Sequence, residues 1–358
     1  MVYWRGRTLI ACNYATGELS QVPPRAFEIL NACDDWTPVD DLAHAGFVSD
    51  DTFPAVIEKM VALGLLERSD RPRDRRALAM DVLAPWNPQA GFFHTTTRDV
   101  RFTPRAAALR KQRAKAARLP PPPAIKRYPG APRVDLPPAP AHDEFAAVLR
   151  ARRTWRRYSS AAVTRDEMAT LLALTAGVQQ WIETDDVRLP LKTSPSGGAR
   201  HSIECYLVVR AVSGLKSGIY HYAPDRHALV RIAPAVTPAR MRAYVPTSEY
   251  FANASAMVFF TVIFDRLLWR YPYARAYRAA LIECGHLCQT FCLTATRLGL
   301  APYSVMGLAD SIIEQDLGID GIRESVLYAA GVGRPPRGTS WAARPNGPNP
   351  PTRRNPRV

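Results

Sequence analysis

Between Arg150 and Tyr158 the chain places Arg150, Arg152, Arg153, Arg156 and Arg157 around Thr154, directly after an amphipathic segment. Guanidinium forks at that density call for an anion, and a phosphate monoester matches their paired N–H donors. A second stretch, TSPSGGARHSIECY, runs from Thr193 to Tyr206. Its Pro195-Ser196-Gly197-Gly198 turn permits close backbone approach, and the alternating apolar residues after it lead into a strand. Together the two stretches imply a phosphate-bearing, flat-ringed cofactor.

Other polar pairs invite a metal reading. His201 and Glu204 stand three apart at the start of that strand, and Glu283 and His286 are one helical turn apart. No third ligand has sensible spacing, so both pairs are read as structural hydrogen bonding and no metal is expected. The six cysteines include no CxxC pair; Cys284, Cys288 and Cys292 recur every fourth residue on one helical stripe. That spacing suits buried small hydrophobes.

These elements must be carried by a chain of 358 residues, enough for two domains. Its 32 prolines are about 9% of the residues, against ~5% in ordinary proteins, so part of the chain is irregular. No apolar run approaches the ~20 residues that span a bilayer, and MVYWRGRTLI lacks a signal-peptide plan. With reduced thiols in keeping, the expectation is a cytoplasmic protein.

The net charge of +15 is concentrated. Residues 98–127 hold ten Lys or Arg and one Asp, and residues 334–358 hold six Arg and no acid. Both stretches are proline-rich, which favours solvated linker and tail over a structured nucleic-acid groove. Residues 20–67 show the opposite balance, with Arg25 and Lys59 against nine acids.

The pattern gives four parts. Residues 1–70 read as β-prone pieces around Cys12 and Tyr14, then three helices. The first is opened by Pro23-Pro24 and the second by Thr37-Pro38; the third is capped by Ser49-Asp50-Asp51 and ends at Gly64 before a Leu65-Leu66 strand edge. This resembles a small winged-helix domain. Its negative charge argues against DNA and for peptide or partner docking along the strand edge. Residues 71–141 read as a Pro/Arg-rich connector containing one unburied Arg/Ala-rich helix, and residues 337–358 as a Pro/Arg-rich tail. Residues 142–336 form the compact part: helices at Glu144–Arg152 and after the Thr164 cap, strands at Cys205, Gly218 and Met257, and a long apolar helix from Tyr277 to Leu298. A Pro302 turn, a helix near Ser311 and a closing strand from Ser325 follow. The class is α+β, with a sheet covered on both faces.

Four separated pieces carry a family resemblance: RRTWRRY; SPSGGARHSIECY with GLKSGIYHYAPDRHAL; YRAALIECGHLCQTFCLTATRLGLAPYSVMG; and YAAGVGRP. In this order they resemble the nitroreductase-like flavoproteins, specifically the SagB-type or ThcOx dehydrogenases of peptide natural-product maturation. The resemblance implies a homodimeric FMN-binding fold with a central, mostly antiparallel sheet covered by helices. It implies that Arg152, Arg153, Thr154 and Arg156 hold FMN, and that Pro195, Ser196, Gly197 and Gly198 form the turn beside its ring. Met306 and Gly307 would lie on the loop facing the flavin's reactive nitrogen, and Arg334 would contact the phosphate. Relatives that oxidise azolines carry Lys-Tyr where this chain has Arg270-Tyr271. Arginine stays protonated and can anchor or polarise a substrate, while Tyr271 remains available as acid or base.

Three functional readings follow. The first is FMN-dependent dehydrogenation of a ribosomally made peptide, of the azoline-to-azole type or a related two-electron oxidation, alongside partner modification enzymes. The second is an NAD(P)H-fed FMN reductase of a dehydroamino acid-containing peptide or small acceptor. The third is a nucleic-acid-associated regulator using the basic stretches.

Overall fold

The structure, a computed structural model, describes residues 1–13, 15–44, 53–73, 78, 81–83, 85, 88–100, 102–119, 121–126, 136–137, 143–184, 187–336 and 338. In chain order the strands are β1 (Val2–Arg5), β2 (Thr8–Asn13), β3 (Glu18–Gln21), β4 (Val163–Thr164), β5 (Val178–Glu183), β6 (Arg188–Lys192), β7 (Ile203–Val209), β8 (Val212–Ser213), β9 (Gly218–Ala223), β10 (Ala228–Ala233), β11 (Ala256–Ile263), β12 (Ala301–Val305) and β13 (Glu324–Gly333). The helices are α1 (Pro24–Ala32), α2 (Val39–His44), α3 (Phe53–Ala62), α4 (Pro88–Thr96), α5 (Arg105–Arg118), α6 (Glu144–Ala151), α7 (Arg165–Ala176), α8 (Pro238–Tyr244), α9 (Phe264–Leu268), α10 (Ala276–Arg297) and α11 (Asp310–Leu317). The backbone divides into two compact units: residues 1–98 with 263–279 and 320–325, and residues 99–262 with 280–319 and 326–358.

In the first unit β1, β2 and β3 form an antiparallel meander. Leu9, Ala11, Val22, Ala26, Ile29, Leu42, Phe53, Ile57 and Met60 make its core. Pro24 sits in the first turn of α1, where its missing N–H has no helical partner to lose. Gly64, at φ 61°, follows α3 as expected, but Leu65-Leu66 is not a strand, and the sheet of this unit comes before the helices. The Ser49-Asp50-Asp51 cap lies outside the described residues. The connector is also more structured than its composition suggests: α4 carries His94, which is 1% exposed. Within the same unit the His94 ring packs edge-on to Phe264 at 5.2 Å; Nδ1 lies 3.2 Å from Tyr277 Oη and Nε2 2.9 Å from the Gly321 carbonyl.

The second unit is built on a six-stranded sheet in the order β10-β9-β7-β11-β13-β12. The β10/β9, β9/β7, β7/β11 and β12/β13 pairings are antiparallel. Every residue of β7 is buried, and so is all of β11 before its last residue. Such continuous burial means that both faces of the central strands are covered. Pro302, expected in a turn, instead lies inside β12 opposite Val332. It is tolerated there because β12 is an edge strand, where a missing N–H breaks no ladder on the outer side. The Thr164 cap is present as a full capping box with Glu167 at the start of α7. The expected Arg/Ala-rich helix is α5, and its described side chains are largely solvated. Among the described residues no helix is long and apolar enough to cross a membrane.

Candidate functional site

The arginine segment leaves α6 at Arg152, whose N–H closes that helix on the Val148 carbonyl at 3.0 Å. It then runs along the second unit's edge. Trp155 N donates to Pro302 O of β12 at 2.9 Å, and Ser159 N donates to Arg334 O at 3.0 Å. The Tyr158 hydroxyl donates to Trp155 O at 2.9 Å. The phenol is pushed well above its ordinary pKa by burial, so it acts as a fixed donor and not as a base. Gly333 is required under it, since a Cβ there would stand 2.6 Å from Tyr158 Cδ1. Arg153, Arg156 and Arg157 are exposed, while Arg152 and Thr154 are half-buried. Arg153 Nη1 donates to the carbonyls of Arg150 and Arg152 at 2.6 and 2.8 Å, which holds that side chain back along its own backbone.

The glycine turn is a short helical turn at residues 197–199 whose backbone is left-handed at Gly198 (φ 60°), Ala199 (φ 52°) and again at His201 (φ 43°). Two non-glycine residues in that region cost strain, so surrounding contacts must impose the shape. One face of α10 supplies them. Thr290 Oγ1 lies 2.8 Å from Ser194 Oγ, His286 Nδ1 lies 3.3 Å from Pro195 O, and Ser202 Oγ donates to Glu283 Oε2 at 3.0 Å. The three helix residues are spaced at i, i+3 and i+7, one stripe of a helix. Within the loop, His201 N donates to Ser196 Oγ at 2.8 Å. Glu283 is 2% exposed; burial raises its pKa, opposed first by the Ser202 hydrogen bond. Its Oε1 has no hydrogen-bond partner, with His201 Nδ1 3.9 Å away. Glu204 pairs with His221 Nε2 at 2.6 Å. These acids and histidines thus make hydrogen bonds and ion pairs within the fold, and no group of three or more His, Cys, Asp or Glu suited to a metal occurs among the described residues.

β12 leads into the third piece. Leu308 N donates to Met306 O at 3.0 Å, a tight turn centred on Gly307, and Met306 is 78% exposed. The cysteine stripe of α10 is buried and unoxidised, and Cys292 Sγ lies 4.0 Å from the Tyr303 carbonyl of β12. α10 and β12 are thus the common support: the first holds the glycine turn, the second the arginine segment and the Met306-Gly307 loop. Arg334 also belongs to this unit, but its guanidinium is engaged with Glu167 Oε2 at 2.7 Å and Ala162 O at 3.1 Å. It ties the end of β13 to the capping box of α7. Arg270 and Tyr271 fall in the other compact unit, just past α9. Tyr271 N donates to Leu267 O at 2.8 Å, its ring lies 6.0 Å from that of Tyr273, and Arg270 is exposed. Thr290, Ser194 and Ser202 were not singled out from sequence; the i, i+3, i+7 spacing of Glu283, His286 and Thr290 was the available signal.

A phosphate-bearing flat cofactor fits what is present. Exposed guanidiniums at Arg156 and Arg157 can reach an anion, and Pro195, Gly197 and Gly198 are exposed. The nitroreductase family model matches residues 149–334, more than half of the chain. The chain belongs to the nitroreductase family. A nitroreductase-type protein of Methanocaldococcus jannaschii is 33% identical over 187 residues, 52% of this chain and 89% of that one. The trifolitoxin-processing protein TfxB of Rhizobium leguminosarum is 34% identical over 144 residues, 38% of either chain. The microcin B17-processing protein McbC of Escherichia coli is 31% identical over 131 residues, 35% of this chain and 48% of that one. The chain therefore spans less than half the length of either TfxB or McbC. Within the nitroreductase family it resembles the SagB-type proteins of peptide maturation.

Proposed function

We propose that this protein is an FMN-dependent oxidoreductase that dehydrogenates a ribosomally made peptide, converting an azoline ring to an azole or carrying out a related two-electron oxidation. The observation that carries this reading is the likeness of its family region to two proteins that process peptide toxins. Family membership supports FMN as the cofactor, and bound FMN supplies the two-electron redox chemistry. Arg152, Thr154 and Arg156 would hold its phosphate and pyrimidine edge, with Arg153 lending charge from its folded-back position. The turn from Pro195 to Gly198 would bring amides to the ring, and Met306-Gly307 would wall the opposite side. Arg334 would need to exchange Glu167 for phosphate to take part.

Tyr271 would take or hold the substrate proton, and Arg270 would anchor or polarise the peptide, since a guanidinium does not release a proton at ordinary pH. The N-terminal unit would dock the peptide or a partner modification enzyme, and the protein would work as a homodimer. Arg270, where azoline-oxidising relatives carry Lys, keeps the reverse use of the cofactor open as a second reading: reduction of a dehydroamino acid with electrons from NAD(P)H. Mass spectrometry of a co-expressed candidate peptide tests the proposal. Loss of two hydrogens is expected; a gain of two establishes the second reading, and an unmodified peptide beside a flavin-loaded protein overturns both.

A further inference from the structure

Asp99, at the start of the second unit, has φ 48° and is held on both its backbone and its side chain. Its N–H donates to Asp310 Oδ2 at 3.1 Å, Oδ1 accepts from Ser311 N at 3.0 Å, and Oδ2 accepts from the Ser311 hydroxyl. Helix α11 has Ala309 at its N-cap and no capping side chain there. Asp99 thus supplies from a distant part of the sequence the carboxylate that a helix N-terminus favours. Three residues on, the Phe102 ring reaches Gly307: a Cβ built on Gly307 would stand 3.6 Å from Phe102 Cζ and 3.0 Å from Thr247 Oγ1. The missing side chain of Gly307 therefore leaves room for both the ring and the threonine hydroxyl. Phe102 is 38% exposed, so its ring is not sealed in the core, and Met306, next to Gly307 in the chain, is 78% exposed.

We propose that Phe102 is a specificity-determining residue that packs on the five-membered ring of the peptide and stacks on it once oxidation has made that ring a flat azole. The inference rests on the reading that the Met306-Gly307 loop borders the reacting centre. An open aromatic face against a loop that also exposes a thioether suits a planar heterocycle, which gains from offset stacking and from sulfur contact beyond its area burial. Asp99 is the positioning residue that holds this ring in place.

The test uses the FMN-loaded full chain and a short synthetic peptide carrying one thiazole, titrated against the flavin absorption band. Phe102→Ala is expected to weaken binding about twofold to tenfold, in line with the ~0.5–1.5 kcal/mol of an aromatic pair, with flavin content unchanged. Phe102→Trp is expected to restore affinity, and Asp99→Ala to weaken it by a smaller factor. Equal affinity in the parent and Phe102→Ala overturns the inference, as does loss of flavin from Phe102→Ala, which would make the residue a support of the cofactor loop. A parent protein that retains no FMN or leaves every peptide unmodified overturns the underlying reading, and the flavin spectrum and peptide mass report that separately.

Discussion

Glu283 and His94 are both nearly sealed from solvent, one in each compact unit, and they respond to burial in opposite directions. His94 loses affinity for its proton: desolvation brings its pKa down to about 4, against the partial opposition of its hydrogen bond to Gly321. Glu283 gains affinity for its proton, again chiefly through desolvation. In both cases low dielectric disfavours the charged form, so one principle yields a neutral imidazole in one unit and a carboxyl biased to its acid form in the other. Each is a strut. His94 joins α4 to Tyr277 and Gly321, and Glu283 holds the strained loop that carries the glycine turn. Two buried titratable groups with perturbed affinities can thus be structural, and only their neighbours show which one lies near chemistry.

The opposite signs make the comparison breakable by pH. For His94 the folded pKa lies below the ordinary 6.5, so the unfolded chain binds the extra proton between about 6.5 and about 4. Stability of the first unit is expected to be full above the upper value and to fall by up to about 3 kcal/mol on acidification through that window. Denaturant titrations of the parent and His94→Gln measure it, and an unchanged slope in the variant would remove His94 as the source. For Glu283 the folded pKa lies above the ordinary value, so its contribution is greatest in acid and is lost as pH rises through the raised folded pKa. Glu283→Ala strands the buried Ser202 hydroxyl and is expected to cost about 2 kcal/mol and to loosen FMN. Glu283→Gln keeps the bond and is expected to retain flavin while flattening the pH dependence.

Two smaller perturbations separate cofactor contact from scaffold. Arg156→Ala leaves the α10 stripe untouched and is expected to weaken FMN retention about tenfold, read by flavin fluorescence after dilution, with unfolding unchanged. This corresponds to ~1.4 kcal/mol, close to the lower edge of what one hydrogen bond to a charged group contributes. Gly198→Ala forces a Cβ into a left-handed position and is expected to destabilise the second unit by about 1 kcal/mol, with a proportionate rise in flavin release. If Gly198→Ala costs nothing, the loop is more compliant than the α10 contacts indicate.

Much of the second unit was legible in the chain. The apolar run at β11, the Thr164-Glu167 box and the long apolar α10 each state their element locally, because periodicity and capping are short-range properties. Pro302 misled because a proline marks a turn in most contexts, and only the sheet order reveals that its strand is an edge. His94 was hidden in a stretch whose prolines and arginines read as linker. Arg334 was picked out as a phosphate contact, but the structure adds a competitor, Glu167, that lies far away in sequence. Phe102 had no sequence signal at all.

The chain alone determined the family, the α+β class and the residue types a flavin site requires, since those follow from local pattern and from chemistry carried by single side chains. The tertiary structure decided which of those residues share a support. It set Glu283, His286 and Thr290 against the glycine turn and Asp99 against α11, and it placed Arg270-Tyr271 in the other compact unit. Those assignments depend on contacts between residues widely separated in sequence, and such contacts are fixed by packing and not by pattern.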